Sequence, residues 1–458
     1  MGQARKQYIR FLGGASTVTG SKYLVSNGSS TILIDCGMFQ GLKSLRLKNW
    51  DEFPIDPAKI DAILLTHAHL DHSGYIPRLI ASGFRGKIFT TAATKDLCQI
   101  LLPDAGFLAE EEAEYLNRHN RTKHKPALPL FTLEQAEKSI EYFQTVKFNS
   151  KFSFNKDVSF EFRYAGHILG AASIILTMDN ITTGFSGDVG RQKDPIFYPP
   201  RQLPPVDYLV VESTYGNRKH SEVDPIDELE KCIVETASRG GTVVIPSFAV
   251  GRVQSLLYYL WKLRAENRIP RIPMYLNSPM ATNVNAVWSQ YHDLHRLNGQ
   301  ECKDVCGVVK YIRTVDESKE LNLKTEPMVI ISASGMLTGG RVLHHIKRFG
   351  PEAKNTILLA GFQAAGTRGE ALMNGAKRVK IHGEYVEINA QVKLLDNISA
   401  HADYVETIDW LKQSQISPKR TFVTHGEPTA ADEMRKHIID SLDWDCVVPL
   451  LNETFELT

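Results

Sequence analysis

The chain has 458 residues, a length that favours more than one domain. Hydrophobic residues make up 43% and charged residues 23%, a composition that is typical of globular proteins and argues against long disordered stretches. Lysine and arginine total 53 against 52 acidic residues, so the overall charge does not indicate a polyanion-binding protein, and any polyanion site must be local.

The cysteines and the N-terminal segment indicate the compartment. The six cysteines are few for this length and form no paired-ligand arrangement, which predicts free thiols in a reducing environment. The opening segment MGQARKQYIRFLGGAST lacks the apolar core of a signal peptide, and no run of about 18 apolar residues occurs elsewhere. We therefore expect a cytoplasmic protein with no membrane partner.

The N-terminal part predicts a sheet followed by helices. Strand-like runs with glycine or asparagine between them are YIRFLGG, SKYLVSN, STILIDCG and DAILLTH. The segment SGYIPRLIASG predicts a short helix, and residues 92–142 are mostly helical in pattern. Strands are predicted again in VSFEFRYAGH, ASIILTMDN and ITTGFSGD.

From VDYLVVES onward the pattern changes to repeated strand-then-helix units, such as TVVIPSFAVGRVQSLLYYLWKL and MVIISASGMLTGGRVLHHIKRF. This alternation favours a mostly parallel sheet with covering helices. Histidine-bearing segments lie on both sides of this region, which indicates an inserted domain. We predict that residues 213–379 form the insert and that residues 1–212 and 380–458 form one discontinuous domain.

One motif carries the clearest chemistry. Residues 67–72 read His-Ala-His-Leu-Asp-His directly after the apolar run AILLT. Open α/β sheets place ligand sites at such strand ends, so His67 and His69 can face one cation. Neutral imidazole and carboxylate groups are the ligands expected for zinc, and a catalytic zinc keeps a position open for water. The motif therefore predicts a zinc-dependent hydrolase.

The same motif favours a second ion. Asp71 and His72 follow too closely to converge easily on the ion that the first two histidines face. Two adjacent cations need a bridging anion, and Asp188, at the end of ITTGFSGD, is a suitable candidate. Two further candidate ligands lie at or just after the ends of other strand-like runs: His167 and His425.

The order of these segments resembles metallo-β-lactamase-fold hydrolases and, among them, the β-CASP nucleases of nucleic-acid processing. Within the β-CASP nucleases, the chain is similar to the branch that includes the endonuclease subunit of the eukaryotic messenger-RNA 3′-end cleavage complex and its short prokaryotic relatives. The segments that carry the likeness are STILIDCG, HAHLDH, the GH at 166–167, the GD at 187–188, VEST, ISAHAD and VTHGE. The resemblance implies an α/β fold, an αββα sandwich with an inserted, doubly wound β-CASP domain.

The resemblance also implies the ligands of two zinc ions. Asp188 would be shared between the ions, and Asp35 would orient ligands from outside the metal shell. One ion would be held by His67, His69, His167 and Asp188. The other would be held by Asp71, His72, His425 and Asp188.

Two further residues bear on catalysis. Two cations about 3.5–4 Å apart can activate a water and clamp a phosphoryl oxygen, and the resulting hydroxide attacks phosphorus in line. The leaving ribose oxygen needs a proton, and a histidine with a carboxylate partner is suited to give it. The resemblance implies that His401 and Glu212 form an acid pair outside the metal shell, so we predict His401 as the general acid and Glu212 as the residue that orients it. Asp71 could also accept a hydrogen bond from the attacking water.

Other segments suggest contacts with substrate phosphates. The glycine-rich turns SASGMLTGGR and GFQAAGTRG follow strand-like runs, and backbone amides at such turns bind phosphates well. We predict phosphate contacts for Arg341, Arg368 and Ser399, although any doubly wound sheet also needs such turns for tight packing. The basic run NRHNRTKHKP, with Arg118, Arg121, Lys123 and Lys125, is more typical of a solvated loop. Histidines outside the named segments are assigned no chemistry.

The function predicted from these features is a zinc-dependent endoribonuclease that leaves 3′-hydroxyl and 5′-phosphate ends on single-stranded RNA. A 5′-3′ exoribonuclease and a DNA nuclease of the same fold are alternatives, as is a hydrolase of small thioesters, which gives no reason for the insert. A non-catalytic scaffold is disfavoured because every expected ligand position is filled. Target selection is expected to come from a homodimer or from RNA-processing partners.

Overall fold

Residues 6–119, 122, 124–395 and 397–458 are described by this computed structural model. The chain divides into two compact units: Met1–Lys219 with His401–Thr458, and His220–Ala400. Residues 380–400 therefore lie in the second unit, whereas the sequence-based boundary assigned them to the first. The domain boundaries stay a prediction.

The N-terminal segment of the first unit contains the following strands and helices. Its strands are β1 (Gln7–Gly13), β2 (Lys22–Ser26), β3 (Thr31–Ile34), β4 (Ala62–Leu64), β5 (Lys87–Thr90), β6 (Phe143–Thr145), β7 (Phe152–Ser153), β8 (Val158–Tyr164), β9 (Ala172–Met178), β10 (Ile181–Phe185) and β11 (Tyr208–Glu212). Its helices are α1 (Lys43–Leu47), α2 (Leu70–Ser73), α3 (Ile76–Ala81), α4 (Ala92–Arg118) and α5 (Leu133–Ser139).

The second unit alternates helices with strands. Its helices are α6 (Pro225–Ser238), α7 (Arg252–Ala265), α8 (Pro279–Trp288), α9 (Gly299–Gly307), α10 (Val315–Leu321), α11 (Val342–Phe349) and α12 (Arg368–Met373). Its strands are β12 (Thr242–Pro246), β13 (Met274–Asn277), β14 (Lys310–Tyr311), β15 (Met328–Ser332), β16 (Thr356–Ala360), β17 (Arg378–Ile381), β18 (Glu384–Glu387) and β19 (Gln391–Leu395).

The chain then completes the first unit. The remaining elements are α13 (Tyr404–Ser414), β20 (Arg420–Thr424), α14 (Pro428–Leu442), β21 (Cys446–Val447) and β22 (Thr454–Leu457). The first unit has two seven-stranded sheets, in the orders β22-β1-β2-β3-β4-β5-β6 and β21-β20-β11-β10-β9-β8-β7. The C-terminal segment supplies three strands to these sheets, so both segments of the chain are needed to form the unit.

The two sheets of the first unit pack face to face. Alternate residues of β8 are buried, as expected for a strand with one face on a core. Phe160 and Phe162 of β8 join Ile9 and Phe11 of β1 in one apolar cluster. On the outer face of the second sheet, Trp410 of α13 packs among other buried apolar residues. Burial of this apolar surface stabilises the frame that holds the strand ends in place.

The second unit is built on a parallel sheet of six strands, in the order β14-β13-β15-β12-β16-β19. Its central strands β12, β15 and β16 are buried along their whole length, as is usual for a sheet with helices on both faces. Within the described residues, no helix is both long and apolar enough to cross a membrane. The predicted cytoplasmic location stays a prediction.

Candidate metal centre

Polar residues of the first unit cluster where strands end. Strands β3 and β4 are parallel, so their carboxyl ends share one edge of the first sheet. Strands β10, β11 and β20 are parallel, and β8 has the same direction because β9 is antiparallel to both β8 and β10. The residues at or just after these ends are Asp35, His67 to His72, His167, Asp188, Glu212 and His425.

The first group of donor atoms belongs to His67, His69, His167 and Asp188, whose ligand atoms all lie within 4.8 Å of one another. The Oδ2 atom of Asp188 lies 3.4 Å from Nε2 of His67 and 3.4 Å from Nε2 of His167. Nε2 of His167 lies 3.2 Å from Nδ1 of His69. These are the four residues predicted for one ion.

The second group of donor atoms belongs to Asp71, His72 and His425. The Nε2 atoms of His72 and His425 face each other at 3.0 Å, and Asp71 Oδ2 lies 3.5 Å from His425 Nε2. The Oδ1 atom of Asp188 lies 3.2 Å from His72 Nε2. Asp188 thus presents one carboxylate oxygen to each group, as a shared ligand requires.

The proton positions implied by the surrounding hydrogen bonds fit a metal centre. His72 Nδ1 lies 2.7 Å from Asp35 Oδ2, His67 Nδ1 lies 3.0 Å from Thr66 Oγ1, and His425 Nδ1 lies 3.1 Å from Thr214 Oγ1. When each Nδ1 carries the proton and donates it, Nε2 of each ring keeps its lone pair. Lone pairs that face one another and a carboxylate repel each other, and a cation bound between them removes this repulsion.

Buried atoms without a partner support the same conclusion. Among the described residues, His67 Nε2, His167 Nδ1 and Asp188 Oδ1 are buried and make no hydrogen bond. Buried polar atoms are normally hydrogen-bonded, so such atoms in a native structure require an explanation such as a bound ion. The histidine and aspartate donors also match the ligand preference of zinc. The residues present therefore fit a zinc centre.

The electrostatics of the site separate its histidines into two kinds. Burial lowers the pKa of His67 and, more strongly, lowers the pKa of His69 to about 3, which keeps both rings neutral. Burial also acts on His72, but the carboxylates of Asp188 and Asp35 outweigh it and raise the pKa of His72 well above its ordinary value. These carboxylates thus favour a positive charge at His72, which a bound cation would supply in place of the second ring proton.

Asp35 is buried behind the ligands. Its carboxylate accepts hydrogen bonds from the Thr66 N–H at 2.8 Å and from the Thr66 hydroxyl, and it contacts His72. The backbone of Asp35 has φ 58°, in the left-handed region that is costly for most residues. The carboxylate links two ligand histidines through Thr66, which agrees with the orienting role predicted for Asp35.

His401 lies beside the clustered ligands and contacts Glu212. Nδ1 of His401 lies 3.1 Å from Glu212 Oε1, and its ring centroid lies 4.5 Å from that of His167. Glu212 also accepts the N–H groups of Val189 at 2.7 Å and Thr214 at 3.2 Å. Burial lowers the pKa of His401, but the charge and hydrogen bond of Glu212, together with the charges of Asp188 and Asp71, outweigh burial and raise the net pKa above its ordinary value. The pair has the geometry of an oriented proton donor.

Gly190 allows this pair to approach the ligands. The backbone at Gly190 forms a β-bridge with His401, and the Ala402 N–H donates to the Val189 carbonyl at 2.7 Å. A Cβ atom on Gly190 would lie 2.1 Å from the Gly166 carbonyl oxygen, far inside van der Waals contact. Only glycine therefore permits this close approach next to His167.

The predicted phosphate contacts lie in the second unit. The Arg341 guanidinium donates to the Asn277 side chain and to the carbonyls of Ile312 and Arg313. The Arg368 guanidinium donates to the carbonyls of Lys380, Leu337 and Thr338. Ser399 is buried. The structure thus gives both arginines a role in stabilising turns, and their phosphate role stays a prediction.

The predicted basic run lies partly outside the described residues. Arg121 and Lys123 are not among the residues that the structure describes. Arg118 is exposed and lies 3.9 Å from Glu114, one turn earlier on α4. Lys125 is exposed. Both positions are exposed, as the sequence favoured, but Arg118 ends helix α4 and only Lys125 lies in a loop.

Sequence reasoning missed the two threonines that hold ligand histidines. Thr66 precedes the HAHLDH motif, and Thr214 is part of the VEST segment. A signal was present, because a threonine also precedes His425, but the sequence does not show which ring nitrogen a hydroxyl will contact. Thr66 meets Asp35 because β3 pairs with β4, and Thr214 meets His425 because β11 pairs with β20.

Two face-to-face sheets with a cluster of histidines and aspartates at their edges define a metal-dependent hydrolase of the metallo-β-lactamase fold. Three family models match the chain: the metallo-beta-lactamase superfamily over residues 17–83, the Beta-Casp domain over residues 253–372, and the Zn-dependent metallo-hydrolase RNA specificity domain over residues 385–449. The chain belongs to the β-CASP family of these hydrolases, and the predicted α/β fold with an inserted domain is confirmed.

Full-length comparisons agree with this assignment. The chain is 36% identical over 425 residues to Ribonuclease TTHA0252 of Thermus thermophilus, covering 91% of this chain and 92% of the relative. It is 29% identical to Transcription termination factor FttA of Methanosarcina mazei, covering 96% of this chain and 70% of that protein. A crystal structure of a protein of unknown function from Enterococcus faecalis covers 99% of this chain and 100% of its own, with a TM-score of 0.55 and 13% identity, and shares the fold.

Proposed function

We propose that this protein is a two-zinc endoribonuclease that hydrolyses internal phosphodiester bonds of single-stranded RNA and leaves 3′-hydroxyl and 5′-phosphate ends. The observation that carries the proposal is Asp188, which presents one oxygen to each of two groups of histidine and aspartate donors. An RNA substrate is supported by the relative named as a ribonuclease and by the matched model described as an RNA specificity domain.

Zinc ions bound by the two groups lower the pKa of a water and neutralise charge on a phosphoryl oxygen. The chain's own residues then have three tasks: to orient the ligand rings, to position the attacking water, and to donate a proton to the leaving oxygen. Asp35, Thr66 and Thr214 fix the proton on the far nitrogen of ligand histidines, so Nε2 faces the metal positions. Asp71 has a carboxylate at the edge of the second group that can accept a hydrogen bond from the attacking water.

His401 supplies the proton for the leaving oxygen in this proposal. Its contact with Glu212 fixes the ring orientation, and the raised pKa keeps more of it protonated near neutral pH. A hydrolase of small thioesters has less need of such a donor, because a thiolate leaves readily without protonation. The His401–Glu212 pair therefore favours a phosphodiester with an alkoxide leaving group.

A time course on single-stranded RNA labelled at its 5′ end tests the proposal. We expect internal fragments at the earliest times, loss of cleavage on chelation, and recovery on addition of zinc. Immediate release of the labelled mononucleotide would support a 5′-3′ exonuclease instead. A DNA oligonucleotide of the same sequence is the matched substrate, and faster cutting of the DNA would overturn the RNA assignment. A His401→Asn variant should retain zinc while losing cleavage.

A further inference from the structure

A second set of metal-ligating side chains occurs in the second unit, away in sequence from every residue of the proposed function. His292 and His295 lie in the segment between α8 and α9, and Cys302 lies in α9. One ligand atom from each of the three lies within 4.8 Å of the others. We propose that His292, His295 and Cys302 bind one thiophilic divalent cation, Zn²⁺ in the first instance.

The distances match those of a tetrahedral zinc site. Zinc–sulfur and zinc–nitrogen bonds of about 2.3 and 2.0 Å at a tetrahedral angle place the two ligand atoms about 3.5 Å apart. Cys302 Sγ lies 3.8 Å from His292 Nδ1 and 3.9 Å from His295 Nε2. A shift of a few tenths of an ångström therefore brings each sulfur–nitrogen pair to the separation of coordinated ligands, and the two nitrogens lie within 4.8 Å of each other.

The surroundings fix His295 and the helix that carries Cys302. The Trp288 ring stacks on His295 with centroids 4.6 Å apart and an angle of 23° between the planes. The Asn298 side chain accepts from two N–H groups at the start of α9, with Glu301 completing the capping box, so the helix that carries Cys302 begins at a defined position. Two of the three ligand positions are thus set by packing before any cation binds.

Coordination of a cation by His295 keeps the Trp288 carbonyl hydrogen-bonded. Nε2 of His295 lies 3.2 Å from the Trp288 carbonyl oxygen, a hydrogen bond that coordination replaces. The same carbonyl also accepts the Tyr291 N–H at 3.3 Å. Trp288 therefore keeps a hydrogen-bond donor when Nε2 of His295 turns its lone pair to the cation, and the ring proton then lies on the buried Nδ1.

Burial and charge also favour a cation with one open position. Cys302 and His295 are buried, whereas His292 is exposed, so the cation would be reached from the side of His292. The carboxylates of Asp293 and Glu301 act electrostatically on His295 and Cys302 respectively and add negative potential. With three protein ligands, the fourth position of a tetrahedral ion is left for water.

Binding is accompanied by release of a proton. Burial raises the pKa of the Cys302 thiol to about 11, so the free residue is protonated at neutral pH. Coordination replaces the S–H bond by a sulfur–metal bond, and the proton passes to solvent. The apparent affinity should therefore fall about tenfold for each unit by which the pH is lowered.

Substitution of cobalt for zinc distinguishes this site from the centre in the first unit. A thiolate bound to Co²⁺ gives a charge-transfer absorption in the near ultraviolet, and the proposed ligands of the first centre include no cysteine. We expect the full-length cobalt protein to show this band and Cys302→Ser to lose it. Cys302→Ser should also contain one zinc ion fewer per chain than the wild type after dialysis.

Cys306→Ser is the matched control, because Cys306 lies one turn further along α9 and is not a member of the three-residue set. It should keep the band. His292→Ala alters an exposed residue, so it should fold normally and bind Co²⁺ at least tenfold more weakly at this site. Absence of the band from the wild-type cobalt protein, its persistence in Cys302→Ser, or its loss in Cys306→Ser would each overturn the assignment.

Discussion

Replacing Glu212 by glutamine tests the proposed proton donor with the smallest change in shape. The carboxylate accepts three hydrogen bonds, from the Val189 N–H and His401 Nδ1 at Oε1 and from the Thr214 N–H at Oε2. A glutamine that keeps its oxygen toward His401 places its amide nitrogen against the Thr214 N–H. We therefore expect one buried donor to lose its partner, which lowers the free energy of unfolding by about 1–3 kcal/mol.

The larger consequence is for the pKa of His401. Opposite charges 3.1 Å apart interact by at most about 5 kcal/mol at an effective dielectric constant of about 20. The two N–H donors disperse the charge on Glu212, and burial disfavours the charged imidazolium of His401. Glu212→Gln therefore removes only part of this interaction energy. We expect the pKa of His401 to fall by between about one and two units, equivalent to about 1.4–2.7 kcal/mol.

The assay is the pH dependence of kcat/KM for cleavage of a single-stranded RNA. A general acid must be protonated, so activity is lost as the pH rises through its pKa. Glu212→Gln should move this alkaline limb to lower pH by the same one to two units, whereas His401→Asn should remove the limb and lower kcat by about 10²–10⁴-fold.

A double variant decides whether Glu212 acts through His401. Combining Glu212→Gln with His401→Asn should lower kcat/KM no further than His401→Asn alone. An additional loss equal to that seen in the wild-type background would refute the reasoning. Zinc content should be unchanged in Glu212→Gln, and release of zinc would instead make Glu212 a ligand.

Four further outcomes are expected. Asp188→Asn should lose at least one zinc ion per chain by elemental analysis, because the shared charge between the two groups is removed. Asp35→Asn should weaken metal affinity by about 10–100-fold in chelator competition. Gly190→Ala, whose Cβ would lie 2.1 Å from a backbone oxygen, should lower kcat by about 10²-fold in the RNA assay. Burial lowers the pKa of Lys22 to about 8, so the unfolded chain binds more protons between that pH and the ordinary pKa of 10.5. The free energy of unfolding of the wild type should therefore rise relative to that of Lys22→Met. The expected rise is about 3 kcal/mol from pH 7 to about pH 10.5.

Local sequence determined the elements and the chemistry of their ends. The apolar run AILLT predicts a buried strand, and the imidazoles that follow it lie at the carboxyl end of β4. The strand-then-helix units between 242 and 375 predict a parallel sheet because each unit repeats the same direction. These features depend on residues close together in the chain, so a periodic pattern is enough to indicate them.

The tertiary structure decided which distant atoms meet and through which nitrogen. His72 and His425 are separated by 353 positions, yet their Nε2 atoms face each other because β3 with β4 and β11 with β20 bring their ends together across two packed sheets. The hydroxyl of Thr214 reaches His425 through the pairing of β11 with β20 within one sheet. No periodicity encodes a contact of this kind, since it depends on sheet order and side-chain direction.

The difference between local pattern and folded contacts also applies to Arg341, Arg368 and Cys302, whose contacts are visible only in the structure. The turns near both arginines have the composition of phosphate-binding loops, but only the folded backbone shows that carbonyl oxygens accept from their guanidinium groups. His292, His295 and Cys302 lie within eleven positions of the chain, but only the folded segment shows that their ligand atoms converge. Composition determined which groups were present, and packing decided which of them share a site, because ligand geometry is specified to tenths of an ångström.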